Sequence, residues 1–178
     1  MNIKHAALIS GICAFLTLPT AMAADGQIDF KGEITGTTCN INGGNHDFDV
    51  LMPPVGVQAL SQAGQTAGRT PFTIQLTDCL PETGDVMTYF EPGPTVNPLT
   101  GRLMVDGGQG QVRNLEVGLL NETHQPMDVS KGLGSQNSQV VALVGGAADL
   151  NYFAEYVATG TVSPGKVNTR ILYSIAYP

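Results

Sequence analysis

The sequence contains no tryptophan, and only 13% of its residues are charged. Lysine and arginine together number eight and form no run or stripe, against 15 acidic residues, leaving a net charge of −7. That balance argues against nucleic acid as a partner, because such binding depends on neutralising phosphates. No apolar run approaches the roughly 20 residues of a membrane-spanning helix. Helical periodicity of any length is also missing, which excludes a helix bundle. No Gly-x-Ser-x-Gly elbow or other nucleophile signature occurs, so no catalytic residue is assigned. Gly107-Gly108-Gln109-Gly110 lacks the lysine and following helix of a phosphate loop and reads as a turn. His46 and His124 sit in polar turns without a second ligand close by in sequence. Asp47 and Asp49 lack the remaining positions of a calcium loop. No metal and no cofactor are expected.

Cysteine is scarce, and its placement is informative. Residues 1–23 have the form of a secretory signal: Lys4 and His5, an apolar run from Ala6 to Leu18, Pro19, then the small-x-small pattern Ala21-Met22-Ala23. Cleavage is expected before Ala24, giving a soluble exported protein whose charge, without Lys4, goes from −7 to −8. Cys13 leaves with the signal, and Cys39 and Cys79 remain as an even pair in an oxidising compartment. A disulfide between them closes a loop of 40 residues (79 minus 39). On the chain-entropy argument it stabilises by about 4 kcal/mol. A two-thiolate metal site lacks further ligands at suitable spacing.

What the chain has in quantity is glycine, 22 residues, and short alternating segments. From Gly26 to Thr35 the alternation is unbroken, with Ile28, Phe30, Gly32 and Ile34 on one side and Gln27, Asp29, Lys31 and Glu33 on the other. Period two predicts a strand with one buried face. Further strands are expected over Gly36–Ile41, His46–Met52, Thr70–Cys79, Val86–Phe90, Arg102–Val105, Val112–Leu120, Gln139–Val144 and Leu150–Ala158. Val55–Gly68 reads as a loop or one helical turn, and Met127–Leu133 as a weak strand or loop. The last expected strand is Val167–Tyr177, with Ile171, Tyr173, Ile175 and Tyr177 on one face. Short strands punctuated by turns predict an all-β, antiparallel sandwich of immunoglobulin-like kind.

The sequence stops at Pro178, directly after that strand. In an immunoglobulin-like sandwich the penultimate strand is covered by a final one. If Val167–Tyr177 is penultimate, its neighbour is missing. A trough in the core and an unpaired backbone edge are then expected, and such an edge is a template for strand addition.

Four blocks resemble the subunits of type 1-like fimbriae built by the chaperone–usher pathway. They are Phe30-Lys31-Gly32-Glu33 followed by Cys39, Pro71 to Cys79, Val117 to Asn121, and Tyr156 to Gly160 with Pro164-Gly165, closing on Tyr177. The resemblance implies an incomplete immunoglobulin-like fold that lacks its final strand, completed by a donor strand from a neighbouring subunit or a chaperone. It implies no enzyme but a structural subunit of a surface fimbria that supports cell adhesion. The implied partners are a periplasmic chaperone, an outer-membrane usher and neighbouring pilin subunits joined head to tail. Carried over by position, Ile28, Phe30, Gly32 and Ile34 are the donor residues, with Gly32 as the small one at a narrow part of the groove. Ile171, Tyr173, Ile175 and Tyr177 form the acceptor groove and chaperone-binding strand, Tyr177 as the near-terminal aromatic, and Cys39 with Cys79 match the family disulfide. The expected organisation is a signal over 1–23, a donor extension over 24–34 and a pilin domain over 35–178. An adhesive minor subunit with its own receptor surface is the alternative.

Overall fold

The computed structural model describes residues 26–31, 36 and 38–178 of the chain. The chain divides into two units, Met1–Ile34 and Thr35–Pro178. In the first unit, residues 26–31 carry no regular secondary structure, and Ile28 and Phe30 are 79% and 92% exposed. The strand expected over Gly26–Thr35 is therefore not formed in its described part. Its alternation provides an apolar face, but a strand also needs a partner for its backbone groups. The remainder of that stretch, Gly32 and Ile34 included, and the expected signal over 1–23 lie outside the described residues.

The described residues of the second unit form eight strands: β1 (Thr38–Ile41), β2 (Thr66–Leu80), β3 (Asp85–Glu91), β4 (Leu103–Met104), β5 (Leu115–Leu120), β6 (Val140–Ala142), β7 (Ala148–Ala158) and β8 (Leu172–Ala176). They form two sheets, one of order β1-β2-β7-β5-β4 and one of order β6-β3-β8, with every strand pairing antiparallel. This is the expected immunoglobulin-like sandwich. Short 3-10 turns at Asn42–Gly44 and Val57–Leu60 break the chain where glycine and loop composition predicted it.

The centre of the larger sheet is the β2–β7 ladder, in which Phe72 opposes Tyr152 and Ile74 opposes Leu150. Ile74, Leu76, Leu150 and Tyr152 are almost wholly buried, and Val86 and Phe90 meet them from β3. Packing across the two inner faces is the usual core of a sandwich. β2 begins four residues earlier than expected, at Thr66, and its register with β7 shifts between Ala67 and Thr70. β5 is buried at all six positions, not at alternate ones. On its outer face Glu116 accepts a hydrogen bond from Asn97 at 2.6 Å and pairs with Arg102 at 3.5 Å, which keeps a buried carboxylate satisfied.

Cys39 on β1 and Cys79 on β2 are joined by a disulfide, with Cα atoms 4.0 Å apart. It fastens a four-residue edge strand to the longest strand of the fold.

Two expected strands depart from expectation in a way that bears on the site. His46–Met52 joins no ladder among the described residues, although Phe48, Val50 and Met52 are half-buried while Asp47, Asp49 and Leu51 are exposed. Its period-two burial is present without a hydrogen-bonded neighbour. The strand expected over Val167–Tyr177 pairs only at Leu172–Ala176. Residues 166–170 are held elsewhere: Val112 N–H donates to the Lys166 carbonyl, Asp106 N–H to the Asn168 carbonyl, and the Thr169 hydroxyl to the Met104 carbonyl. This segment therefore crosses from the edge of the larger sheet to the smaller one. The crossing requires Gly165, because a Cβ there would stand 2.4 Å from the backbone nitrogen of Val112.

Candidate functional site

These two segments face each other across a groove of about 840 Å³. One wall is residues 46–52 and the other is residues 167–175. Its floor is made of core side chains from both sheets, among them Ile74, Phe90, Val117, Leu119, Ala154 and Tyr156. The groove is thus a breach in the sandwich that reaches the core rather than a surface dimple. β8 hydrogen-bonds β3 along one edge, from Met87–Ala176 to Glu91–Leu172. No strand pairs with its other edge among the described residues. A smaller cavity of about 430 Å³ adjoins, sharing Met52, Tyr156, Val167 and Asn168 with the groove.

At one place the walls touch. The Tyr173 hydroxyl donates to the His46 carbonyl at 2.8 Å. The Phe48 ring lies edge-on to Tyr173, centroids 6.3 Å apart, and 6.4 Å from Phe72. Phe72 in turn stacks on Tyr152, and Tyr152 meets Phe90 edge to face. Burial, with the nearby Asp47 carboxylate, raises the Tyr173 phenol above its usual pKa. Asp47 and Asp49 lie exposed on the rim, and Arg170 on the opposite wall is paired with Asp106 at 3.2 Å.

The residues singled out in the sequence are placed as follows. Ile171, Tyr173 and Ile175 line the groove together. Tyr177 is not in the lining; its hydroxyl lies 3.5 Å from Cys39 Sγ and its ring packs against the core. Ile28 and Phe30 are exposed in the other unit, and Gly32 and Ile34 lie outside the described residues. Sequence reasoning did not single out Phe48, Val50 and Met52 as groove residues, although their alternation was visible. His124 stacks on Phe153 and meets the Arg69 guanidinium, which also binds Glu155, so it belongs to a surface polar cluster. Among the described residues no group of three His, Cys, Asp or Glu side chains could hold a metal ion.

An apolar trough beside an unpaired strand edge does no bond chemistry, but it is suited to receiving an extended chain. The comparisons agree in kind. Residues 52–178 match the family described as FimA, type-1 fimbrial protein, A. The chain is 44% identical over 162 residues to the major fimbrial subunit SMF-1 of Stenotrophomonas maltophilia, covering 88% of this chain and 95% of that one. It is 31% identical to the F17 fimbrial protein of Escherichia coli, covering 95% and 96%. The fold superposes with TM-score 0.60 on a chain from a chaperone–usher pilus structure, at 19% identity and covering 90% and 100%. The chain belongs to the type-1 fimbrial protein family and is a structural subunit that assembles with other subunits into a fimbria on the bacterial surface.

Proposed function

We propose that the groove is filled by a donor strand, supplied in the fibre by residues 24–34 of a neighbouring copy. The observation that carries this reading is the placing of the free edge of β8 opposite the ladder-less, alternating segment 46–52, across a floor of core side chains. Strands in a sheet lie about 4.7–4.9 Å apart, so one inserted strand hydrogen-bonds both walls and turns one face onto the floor. Ile28, Phe30, Gly32 and Ile34 supply that face, and Gln27, Asp29, Lys31 and Glu33 remain towards solvent. Leaving Ile28 and Phe30 in water forgoes about 1.5–3 kcal/mol each. Backbone pairing adds about 0.5–1.5 kcal/mol per bond. A head-to-tail contact of this kind does not close on itself and produces a filament.

Before assembly the same groove is occupied by a strand of a periplasmic chaperone, which engages Ile171, Tyr173, Ile175 and Tyr177, and an outer-membrane usher receives the complex. In this scheme residues 1–23 are removed on export, residues 24–34 are the donor extension, and residues 35–178 are the acceptor domain. Replacing Phe30 by Asp tests the donor role. The variant is expected to be recovered with its chaperone but to form no polymer, because a charge is carried into an apolar trough. Fibres of ordinary length from Phe30→Asp subunits would overturn the assignment.

A further inference from the structure

The unfilled groove is tied across at a single point. Of the hydrogen bonds made by described residues, only the one from the Tyr173 hydroxyl to the His46 carbonyl joins segment 46–52 to the opposite wall. It is also the only hydrogen bond among them that holds residues 46–52 to anything else. The Phe48 ring adds an apolar contact at the same end, lying between Tyr173 on β8 and Phe72 on β2. At the other end of the groove, where Met52 and Val167 face the adjoining cavity, no such tie exists among the described residues.

We propose that Tyr173 and Phe48 form a clasp that holds the walls of the unfilled groove together and slows insertion of a strand. This inference rests on the donor-strand reading above. A strand seated between 46–52 and β8 sets its two neighbours about 9.4–9.8 Å apart, twice the inter-strand spacing. The Tyr173 side chain spans the opening to reach the His46 carbonyl, so an incoming strand has to displace it from that acceptor. The His46 carbonyl is moreover one of the acceptors an incoming backbone would use, and the tyrosine hydroxyl occupies it. Phe48 reinforces the closure, because its ring rests on both sides of the opening and has to leave Tyr173 before the wall can swing out. The clasp belongs to the empty state alone, so it acts on the rate of filling.

The test uses the mature chain as a monomer and a fluorescein-labelled peptide of residues 24–35, with uptake followed by fluorescence anisotropy. Removing only the hydroxyl, in Tyr173→Phe, is expected to speed peptide capture about two- to tenfold, the factor corresponding to one hydrogen bond. Phe48→Leu, which keeps the wall apolar, is expected to act in the same direction and serves if Tyr173→Phe fails to fold. Uptake by both variants at or below the wild-type rate overturns the clasp while leaving the donor reading intact. No saturable uptake by any of the three proteins overturns the donor reading, and the clasp with it.

Discussion

The side chain of Gln136 serves Phe90 as a neighbouring strand would. Its Oε1 accepts the Phe90 N–H at 3.0 Å and its Nε2 donates to the Phe90 carbonyl at 2.5 Å. β3 pairs with β6 only as far as Met87, so these two groups on the outer edge have no ladder partner beyond that point. Gln136 is 1% exposed and donates also to the Lys131 carbonyl at 2.9 Å, which ties the 129–136 loop to the sheet. Replacing Gln136 with Leu fills the same space but orphans buried backbone groups. The expected loss is about 2–6 kcal/mol, at about 1–3 kcal/mol for each of the two Phe90 groups left unsatisfied. Urea unfolding of the peptide-filled subunit measures it, and a loss well under 1 kcal/mol would mean that water substitutes for the amide.

The Cys39–Cys79 bond spans 40 residues that include the groove wall 46–52. Replacing both cysteines with serine is expected to lower stability by about 4 kcal/mol, from the closure entropy restored to the unfolded chain. The same denaturation experiment checks this. An unchanged midpoint would show that β1 is held by its ladder alone.

Tyr152 is wholly buried, and burial pushes its phenol above the usual value of 10.0, against the opposing hydrogen bond with Ser138 at 2.8 Å. The folded state thus holds this proton more tightly than the unfolded chain does. Its contribution is complete below the unfolded pKa of about 10 and is lost as pH rises through the higher folded value. Tyr156, Tyr173 and Tyr177 are raised in the same direction, each chiefly by burial. Stability should therefore fall steeply in strong alkali. In Tyr152→Phe that fall should be shallower, as read from urea midpoints taken at increasing pH. Identical alkaline limbs in the two proteins would remove Tyr152 from the account.

Much of this architecture was legible because alternation reports burial. Phe72, Ile74 and Leu76, or Ile171, Tyr173 and Ile175, face inward as period two requires. Alternation does not report pairing, and this is where expectation and structure part. Phe48, Val50 and Met52 alternate into the groove without a ladder, and residues 26–31 alternate with no strand formed. Both patterns suit a ladder whose other member is another chain, which one chain's sequence cannot supply. Gln136 escaped notice for a different reason: a polar residue in a glycine-rich loop gives no sign that its amide will replace a strand. Glu116 and Glu155 likewise look like ordinary outward strand positions until Arg102 and Arg69 are brought over them by the fold.

If donor strands join the fibre as proposed, the disulfide acquires a mechanical meaning. Pulling force would enter each domain from residue 35 onward and meet Cys39 almost at once. The covalent bridge passes that load sideways into β2, whose 15 residues are laced to β7 along most of their length. The thin lip of chain beyond Cys39, which flanks the opening, is thereby bypassed by load arriving at the leading end. A subunit so wired takes load from its leading end into its longest strand, and only the neighbour's inserted strand draws on the socket itself.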